Sequence, residues 1–360
     1  MSLHAITART EAFCKAYGLR LPILMAPMAG ACPASLAIAV ARAGGLGGCG
    51  ALLMKPDAIR AWTGEVRAAT NGGFQLNLWV PDPPPARDPA HEEKVRAFLA
   101  QWGPPVPASA GDAPLVDFDA QCEALLEAGP AVVSSIMGVY PSAFVARLKE
   151  RGIKWIANVT TVGEAREAVA AGADAVVAQG MEAGGHRGAF EAEKAGEALI
   201  GLFALLPAIV DAVGDRVPII ATGGIADGRG IAAALVLGAS AVQIGTGLLR
   251  TPEAKLAPAW ADAIAAAQPE DTVATRAFSG RLGRSIATAY VRAANSPDAP
   301  SPAPYPVQRG LVRAMREAGG QAGDVDRMQL WAGQSARLAP AEPAGDYIRR
   351  IWDEAKAILA

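Results

Sequence analysis

The sequence contains few of the residues that mark several classes of protein. It has four cysteines and three histidines in 360 residues, and aromatic residues make up 6%. Cys14, Cys32, Cys49 and Cys122 have neither the CxxC spacing of a metal or redox motif nor the density of a disulfide framework. We therefore expect four buried free thiols in a protein of the reducing cytoplasm.

Long apolar runs and charge blocks are also missing. No window reaches the roughly 18 uninterrupted apolar residues that a membrane span requires. The amino terminus lacks the apolar segment after a basic start that marks a secretory signal. The formal net charge is −2 and no block of lysine or arginine occurs, so neither a nucleic acid nor an acidic membrane is expected as a partner. With 51% hydrophobic residues, the chain is able to bury a large core.

What is present is a series of short apolar runs separated by amphipathic helical patterns. The runs are continuous rather than alternating, as in strands covered on both faces. Glycine closes most of the helical patterns between them. Eight such strands, each followed by a crossover, predict the α/β class and a (β/α)8 TIM barrel. The predicted strands lie at 21–28, 45–53, 74–80, 131–138, 154–159, 175–180, 217–224 and 241–247.

Two segments interrupt this pattern. Residues 81–117 are rich in proline, so we expect a surface excursion with one short helix near 90–101. Residues 251–345 combine helical patterns with a second proline cluster, which predicts a smaller, mostly helical lobe. The domain prediction is therefore a barrel over 1–250, this lobe, and a last helix over 346–360 that packs back on the barrel.

The stretch "GLGGCG" (45–50) matches the G-x-G-x-x-G pattern of dinucleotide-binding folds. That pattern has to follow a strand and open a helix. Here it follows a helical pattern, so we interpret it as the second strand, whose small residues let neighbouring backbones approach closely.

Barrel enzymes commonly bind phosphate in the loops after their seventh and eighth strands. In this sequence those loops contain Gly223 and Gly224, followed by a predicted helix from Asp227, and then Gly245 and Thr246. Their amides and the helix amino terminus predict a phosphate site. The lysine of a Walker loop is missing, which favours a flavin phosphate or a nucleoside monophosphate over ATP.

Amide side chains occur in three predicted strands, where apolar residues would be expected. Asn77 and Gln179 end the third and sixth strands, and Gln243 lies in the eighth. An amide offers both a donor and an acceptor, which suits the pyrimidine edge of a flavin or a nucleobase.

His186 follows the sixth strand, on the active face of a barrel, whereas the other two histidines are expected to be structural. Gly184 and Gly185 let the loop bend and approach a ligand. A neutral imidazole here is able to accept a proton or bind an anion, and Arg187 could add positive charge. No partner residues stand at the spacing of a zinc site or a hydrolytic triad, so we expect no metal.

Six stretches together resemble the nitronate monooxygenase family, formerly called 2-nitropropane dioxygenases. The glycine-glycine-histidine loop and the carboxyl-terminal "MQLWAGQ" are the most specific of them. They are "APMAG" (26–30), "NLWVP" (77–81), "AQGMEAGGHRG" (178–188), "ATGGIADGRGI" (221–231), "QIGTGLL" (243–249) and "RMQLWAGQSARL" (327–338).

The resemblance implies an FMN-dependent TIM barrel with a smaller lobe. It implies oxidation of alkyl nitronates by O2 to carbonyl compounds and nitrite, through electron transfer from the nitronate to the flavin. His186 matches the active-site histidine of the family, and Tyr305 is similar to a tyrosine that lines its substrate pocket. Met28 is placed against the flavin ring. The matching FMN contacts are Asn77, Gln179, Gly184, Gly224, Gln243, Ile244, Gly245 and Thr246.

Two other functions stay open at this point. The first keeps the fold and cofactor but is an NAD(P)H-dependent FMN reductase of quinones or enoyl thioesters. The second is a degenerate barrel that binds a phosphorylated metabolite without catalysis. The carboxyl-terminal "MQLWAGQ" favours nitronate oxidation over the first, and the presence of His186, Asn77 and Gln179 disfavours the second.

Overall fold

The structure, a computed structural model, describes residues 3–112 and 114–360. Within these two ranges the chain forms eleven strands. They are β1 (Ile23–Met25), β2 (Gly47–Gly50), β3 (Phe74–Trp79), β4 (Val132–Ile136), β5 (Lys154–Val159), β6 (Ala175–Gln179), β7 (Gly185–His186), β8 (Ile219–Thr222), β9 (Ala241–Ile244), β10 (Thr272–Thr275) and β11 (Gly283–Ile286).

Fourteen α-helices occur in the same described ranges. They are α1 (Leu3–Tyr17), α2 (Ala34–Ala43), α3 (Pro56–Ala69), α4 (Pro89–Leu99), α5 (Phe118–Ala128), α6 (Ser142–Glu150), α7 (Val162–Ala170), α8 (Leu202–Val213), α9 (Gly228–Val236), α10 (Pro258–Ala266), α11 (Ala289–Ala294), α12 (Val307–Leu311), α13 (Arg313–Ala322) and α14 (Ala344–Leu359).

Eight parallel strands form the central sheet, in the order β1-β9-β8-β6-β5-β4-β3-β2. Its two edge strands meet, because the Met25 amide donates to the Leu46 carbonyl (2.8 Å) and the Leu46 amide to the Ile23 carbonyl (3.0 Å). The sheet is therefore a closed (β/α)8 barrel, as predicted. Each of the eight predicted runs contains one of these strands, and the short β7 is additional.

Strand β2 is the "GLGGCG" stretch, which confirms its interpretation as a strand. A Cβ at Gly48 would lie 2.5 Å from the Met25 carbonyl oxygen, and one at Gly50 would lie 2.6 Å from the Ala29 amide nitrogen. Contacts this short leave no room for a side chain. Glycine at these positions lets β2 lie directly against β1 and the loop that follows it.

The amino-terminal end of the barrel is filled by apolar side chains. Phe13 and Tyr17 of α1 stack at 4.4 Å between ring centroids and join one buried cluster with inward-facing residues of the strands. They are Leu24, Val132, Ile156, Ala175, Val177, Ile220 and Ala241, together with Leu46 directly before β2.

The last helix, α14, packs against α2 and α9 on the outside of the barrel. Tyr347 donates to the Ala226 carbonyl (2.8 Å), and Glu354 accepts from the Gly228 amide (3.2 Å). It thus occupies the position of the eighth barrel helix. The segment between β9 and α14 is an insertion before this helix, although the exact domain limits of 250 and 345 stay a prediction.

The smaller lobe contains α10 to α13 and a three-stranded sheet ordered β10-β11-β7. The proline-bearing segment contributes to this lobe, which differs from the expected surface excursion. Val95 and Leu99 of α4 and the following Val106 are buried in one cluster with Phe278 and Tyr290. The apolar residues on one face of α4 explain why this segment packs into the lobe. The proline density of the segment does not show this amphipathic face.

Two further expectations concern the thiols and the membrane. All four cysteines are free, but Cys14 is half-buried while the other three are buried, so only three thiols match the expectation of burial. Among the helices of the described ranges, none combines the length and apolarity needed to cross a bilayer.

Candidate active site

A cavity of about 340 Å³ opens at the carboxyl ends of the barrel strands and is covered by the smaller lobe. Most of the residues singled out from the sequence line it. They are Met28, Asn77, Gln179, Gly184, Gly185, His186, Gly223, Gly224, Gln243, Gly245, Thr246 and Tyr305. Ile244 is the exception: its side chain is fully buried in the barrel core and it does not line the cavity.

His186 lies in β7, where it pairs with Gly283 of β11, so the smaller sheet fixes its position. Its ring is edge-on to Trp79 at 4.6 Å and contacts Trp331 at 4.8 Å between centroids. Its Nε2 lies 2.7 Å from the Ser279 hydroxyl oxygen. The imidazole is therefore held in one orientation by two indoles and one hydrogen bond.

The environment of His186 disfavours its charged form. Burial lowers its pKa to about 3, and the positive charges of Arg281, Arg316 and Arg309 act in the same direction. The imidazole is consequently neutral at physiological pH. It is suited to hydrogen bonding with an anion and is a weak base.

Gln179 and Arg187 hold the loop that contains His186 through hydrogen bonds to its backbone and to neighbouring carbonyls. Gln179 donates to the His186 carbonyl (3.0 Å) and accepts from the Gly188 amide (2.7 Å), so both polar atoms of its amide are already paired. Arg187 donates to the carbonyls of Gln179 and Ala198 (2.5 and 2.8 Å). The charge of Arg187 is thus used on backbone carbonyls and does not face the cavity, contrary to expectation.

The two glycines before His186 have different roles. Gly185 has φ +76°, a left-handed conformation that favours glycine. A Cβ at Gly184 would lie 2.4 Å from the Gly333 amide nitrogen. Gly184 therefore permits close contact with the "MQLWAGQ" segment, which brings Trp331 to His186.

Four residues after β8 and β9 form what we call the phosphate cradle: Gly223, Gly224, Gly245 and Thr246. Gly223 and Gly224 have φ +109° and +70°. In the described part of the chain their backbone N–H groups, and those of Gly245 and Thr246, donate to no backbone or side-chain acceptor. Four unpaired N–H groups on two adjacent loops form a site suited to an anion.

The helix that follows does not contribute its amino terminus to this cradle. The Asp227 carboxylate caps α9 by accepting from the Gly230 amide (3.1 Å), and Glu354 accepts from the Gly228 amide (3.2 Å). Two carboxylates already occupy the amides that were expected to bind phosphate. The sequence could not show this, because Glu354 reaches α9 from a helix more than 100 residues away.

Asn77 and Gln243 are buried in the strands and line the cavity. Asn77 donates to the Ser134 carbonyl and hydroxyl (both 3.1 Å), and Gln243 accepts from Gln75 (3.3 Å). Each side chain is therefore fixed through one end of its amide, and the other end stays free for a ligand. Met28 lies beside the cradle, because a Cβ placed on Gly245 would be 3.5 Å from the Met28 sulfur.

Several polar atoms around the cavity are buried without a hydrogen-bond partner. Seven such side-chain atoms occur among the described residues, and four belong to residues that line this cavity. They are Asn158 Nδ2, Trp260 Nε1, the Tyr305 hydroxyl and Arg316 Nε. Because buried polar groups are nearly always hydrogen-bonded, this concentration indicates a site built for a polar ligand.

The cavity carries positive charge that was not predicted from the sequence. Arg309 and Arg316 line it, and no aspartate or glutamate of the described ranges does. The neighbouring Glu317 pairs with Arg313 instead (2.8 Å). By contrast, the nearby Arg281 is paired with Asp82 (2.9 Å).

Some of these residues carried a signal in the sequence. Trp79 and Trp331 stand inside "NLWVP" and "MQLWAGQ", stretches that were noted for other reasons. Arg309 and Arg316 are seven residues apart, a spacing that places two side chains on one face of a continuous helical pattern. Ser279 had no signal, because only the pairing of β7 with β11 brings it to His186.

These features define a class. The molecule is a TIM barrel with an anion cradle at the loops where barrel enzymes bind phosphate, and an enclosed cavity around a positioned histidine.

Comparison with known proteins identifies the family. Residues 11–354 match the nitronate monooxygenase family. The chain is similar to the nitronate monooxygenase of Paraburkholderia phytofirmans, with 38% identity over 94% of this chain and 93% of the other. A nitroalkane oxidase from Streptomyces ansochromogenes has 36% identity and a TM-score of 0.86, covering 97% of this chain and 100% of that one. FabK from Thermotoga maritima has 31% identity and a TM-score of 0.76, covering 97% and 96%.

The chain belongs to the nitronate monooxygenase family, a family of oxidoreductase enzymes that act on small molecules.

Proposed function

We propose that this protein uses FMN and O2 to oxidise alkyl nitronates to carbonyl compounds and nitrite. The observation that carries the proposal is a cavity whose described lining residues include two arginines and a neutral histidine but no carboxylate. Such a cavity attracts an anion and holds it without a competing negative charge. A nitronate is a small anion.

The residues present fit FMN. The phosphate cradle of Gly223, Gly224, Gly245 and Thr246 would hold the phosphate through its unpaired N–H groups. The free ends of the Asn77 and Gln243 amides would face the polar edge of the ring, and Met28 its apolar face. When bound, the flavin supplies the capacity to accept electrons from the substrate.

Within this site the protein binds and orients the substrate. Arg309 and Arg316 attract the anion, and the neutral imidazole of His186 is positioned to donate or accept one hydrogen bond. Trp79 and Trp331 contact that imidazole, and Tyr305 packs against Trp79. The depressed pKa of His186 makes it a poor base for removing a proton from carbon. We therefore infer that the nitronate, which is already deprotonated, is used in preference to the neutral nitroalkane.

A second function is an NAD(P)H-dependent reductase on the same fold. The two arginines favour it as well, because a dinucleotide also carries negative charge. The similarity to FabK keeps this alternative open.

Rapid anaerobic mixing separates the two functions. We expect the flavin absorbance of the purified protein to bleach within milliseconds to seconds on mixing with a nitronate, and to bleach poorly with NADH or NADPH. Subsequent exposure to O2 should yield nitrite. Rapid bleaching by NAD(P)H with no response to nitronates would overturn the proposal in favour of the reductase. A preparation that binds no flavin would overturn both.

A further inference from the structure

Three sulfur atoms lie together beside the active cavity, in a cluster that the proposed function does not use. Cys32 follows the loop after β1, Cys49 lies in β2, and Met54 follows β2. The Cys32 and Cys49 Sγ atoms are 3.9 Å apart, and Cys49 Sγ is 3.5 Å from the Met54 sulfur. We call these three residues the sulfur cluster.

The cluster is enclosed but not sealed. The exposed fraction is 8% for Cys32 and 1% for Cys49, while Met54 is half-buried. None of the three lines the active cavity. Met54 therefore offers the route by which a small ion would reach two sulfurs that are otherwise closed to solvent.

The spacing of the sulfurs suits a metal ion better than a disulfide. A disulfide requires about 2.0 Å between sulfurs. Metal–thiolate bonds of about 2.3 Å place the sulfurs of a trigonal or tetrahedral site about 3.8–4.0 Å apart. The two measured distances are close to that value, so little movement of the packed side chains is needed.

The donor set selects the kind of metal. Two thiolates and a thioether are soft ligands, which favour Cu(I) over hard cations such as Mg²⁺ or Ca²⁺. No cluster of three His, Cys, Asp or Glu side chains occurs in the described ranges, so an ordinary zinc site is not formed here.

The backbone around Cys32 is arranged to accept a thiolate. The Gly50 amide donates to Cys32 Sγ (3.3 Å). The Cys32 thiol in turn donates to Cys49 Sγ, and the Cys49 thiol donates to the Met54 sulfur. Metal ligation requires both thiols to lose their protons, so a bound cation would bring both sulfurs to the thiolate form.

We propose that Cys32, Cys49 and Met54 form a binding site for a soft monovalent cation of the Cu(I) type. The ion forms two metal–thiolate bonds and one metal–thioether bond. Two thiol protons pass to solvent, and no electron is transferred. The site then carries one net negative charge, next to the Gly50 amide.

The backbone connects the sulfur cluster to the active cavity. Gly50, whose amide bonds Cys32 Sγ, lines the cavity, as do Met28 and Ala31 on the loop before Cys32. Gly50 packs closely against Ala29, with no space between them for a Cβ. Since Gly50 both bonds the sulfur cluster and lines the cavity, we expect bound Cu(I) to slow turnover.

The test is an anaerobic titration of the flavin-loaded protein with Cu(I) in competition with bicinchoninate, a coloured Cu(I) chelator. We expect one Cu(I) per chain in the wild type, and X-ray absorption should show three sulfur neighbours. The double variant C32S/C49S should lose this equivalent. The variant Met54→Leu should keep the stoichiometry with a lower affinity. The matched control C14S/C122S, which removes the other two thiols, should bind as the wild type does.

Three results would overturn the proposal. These are no Cu(I) bound in competition with the chelator, an equivalent retained by C32S/C49S, or a Cys32–Cys49 disulfide found by mass spectrometry in protein isolated without reductant. If the C32S/C49S chain fails to fold, the Met54→Leu variant still tests the site, because it changes a half-buried position. The readout is metal binding, so its outcome is independent of whether nitronates are the substrate.

Discussion

The two ends of the barrel bury different kinds of side chain. At the amino-terminal end, Phe13 and Tyr17 of α1 close the barrel over a cluster of aliphatic residues. At the carboxyl-terminal end the inward positions are polar, with Asn77, Asn158 and Gln243, and several polar atoms there lack partners. Leaving buried polar groups unpaired costs stability. The first end therefore maintains the fold, and the second is kept for a ligand at the expense of stability.

The largest expected effect is on stability, at the amino-terminal end. Phe13→Ala should lower the free energy of unfolding by about 3–5 kcal/mol, the usual cost of emptying a buried aromatic site. Urea unfolding measures it. The kcat/KM of the folded fraction should not change, because Phe13 is far from the cavity. Leu3→Ala, at an exposed position of the same helix, is the control and should have little effect on either quantity. A loss of kcat/KM in Phe13→Ala would show that the amino-terminal end also contributes to catalysis.

The next effect is on catalysis, at the carboxyl-terminal end. His186→Asn should leave the flavin bound and reduce turnover of a nitronate about a hundredfold, or about 2.7 kcal/mol in the barrier. Asparagine is smaller than the imidazole and keeps a polar atom near the position of Nδ1, so it fits the site, but it loses the hydrogen bond that Nε2 makes with Ser279.

Steady-state nitrite release and the visible spectrum report the two parts of this prediction. His4→Asn in α1, where the side chain is exposed, is the matched control and should behave as the wild type does. Unchanged turnover in His186→Asn would show that the imidazole is structural.

A third change should move stability and activity in opposite directions. Arg316→Met removes a buried cation whose Nε has no partner and whose pKa is lowered to about 10, first by burial and then by Arg309. We expect kcat/KM for a nitronate to fall about tenfold, through loss of a charged hydrogen bond. The melting temperature should rise, because an uncompensated buried charge is removed.

Arg313→Met on the same helix is the control for charge. Arg313 is exposed and pairs with Glu317, so its removal should leave kcat/KM unchanged. A melting temperature that falls in Arg316→Met would show that this arginine has a partner in the folded protein after all.

The smallest effect is a pH dependence of stability. The pKa of His186 is lowered to about 3, whereas an unfolded histidine titrates near 6.5. Between these values the unfolded chain binds a proton that the folded chain does not, so this group makes the protein less stable as the pH falls below about 6.5. The loss is at most about 1.4 kcal/mol per pH unit.

Chemical denaturation at pH 7 and pH 5 measures this loss. His186→Asn should lose less stability than the wild type over that interval. Equal losses in the two proteins would mean that the imidazole is already charged in the fold.

Local sequence patterns predicted the barrel and most of the residues at its mouth. Continuous apolar runs closed by glycine predicted eight strands, because a strand buried on both faces requires them. The loops after those strands then had to meet at one rim. His186, Asn77, Gln243 and the phosphate cradle could therefore be predicted from local pattern and strand order. The predicted position of Gln179 at the rim is confirmed. Its hydrogen bonds to the backbone of His186 and Gly188 could not be predicted from the sequence.

The residues that surround that rim depend on the packing of distant elements. Trp331, Arg309 and Ser279 come from a lobe inserted before the last barrel helix, and no local pattern relates them to a histidine about 90 to 145 residues earlier. Glu354 caps α9, and Cys32 meets Cys49, for the same reason. Contacts of this kind depend on how separate elements pack, since periodicity fixes which face of an element is buried and not which partner it is buried against.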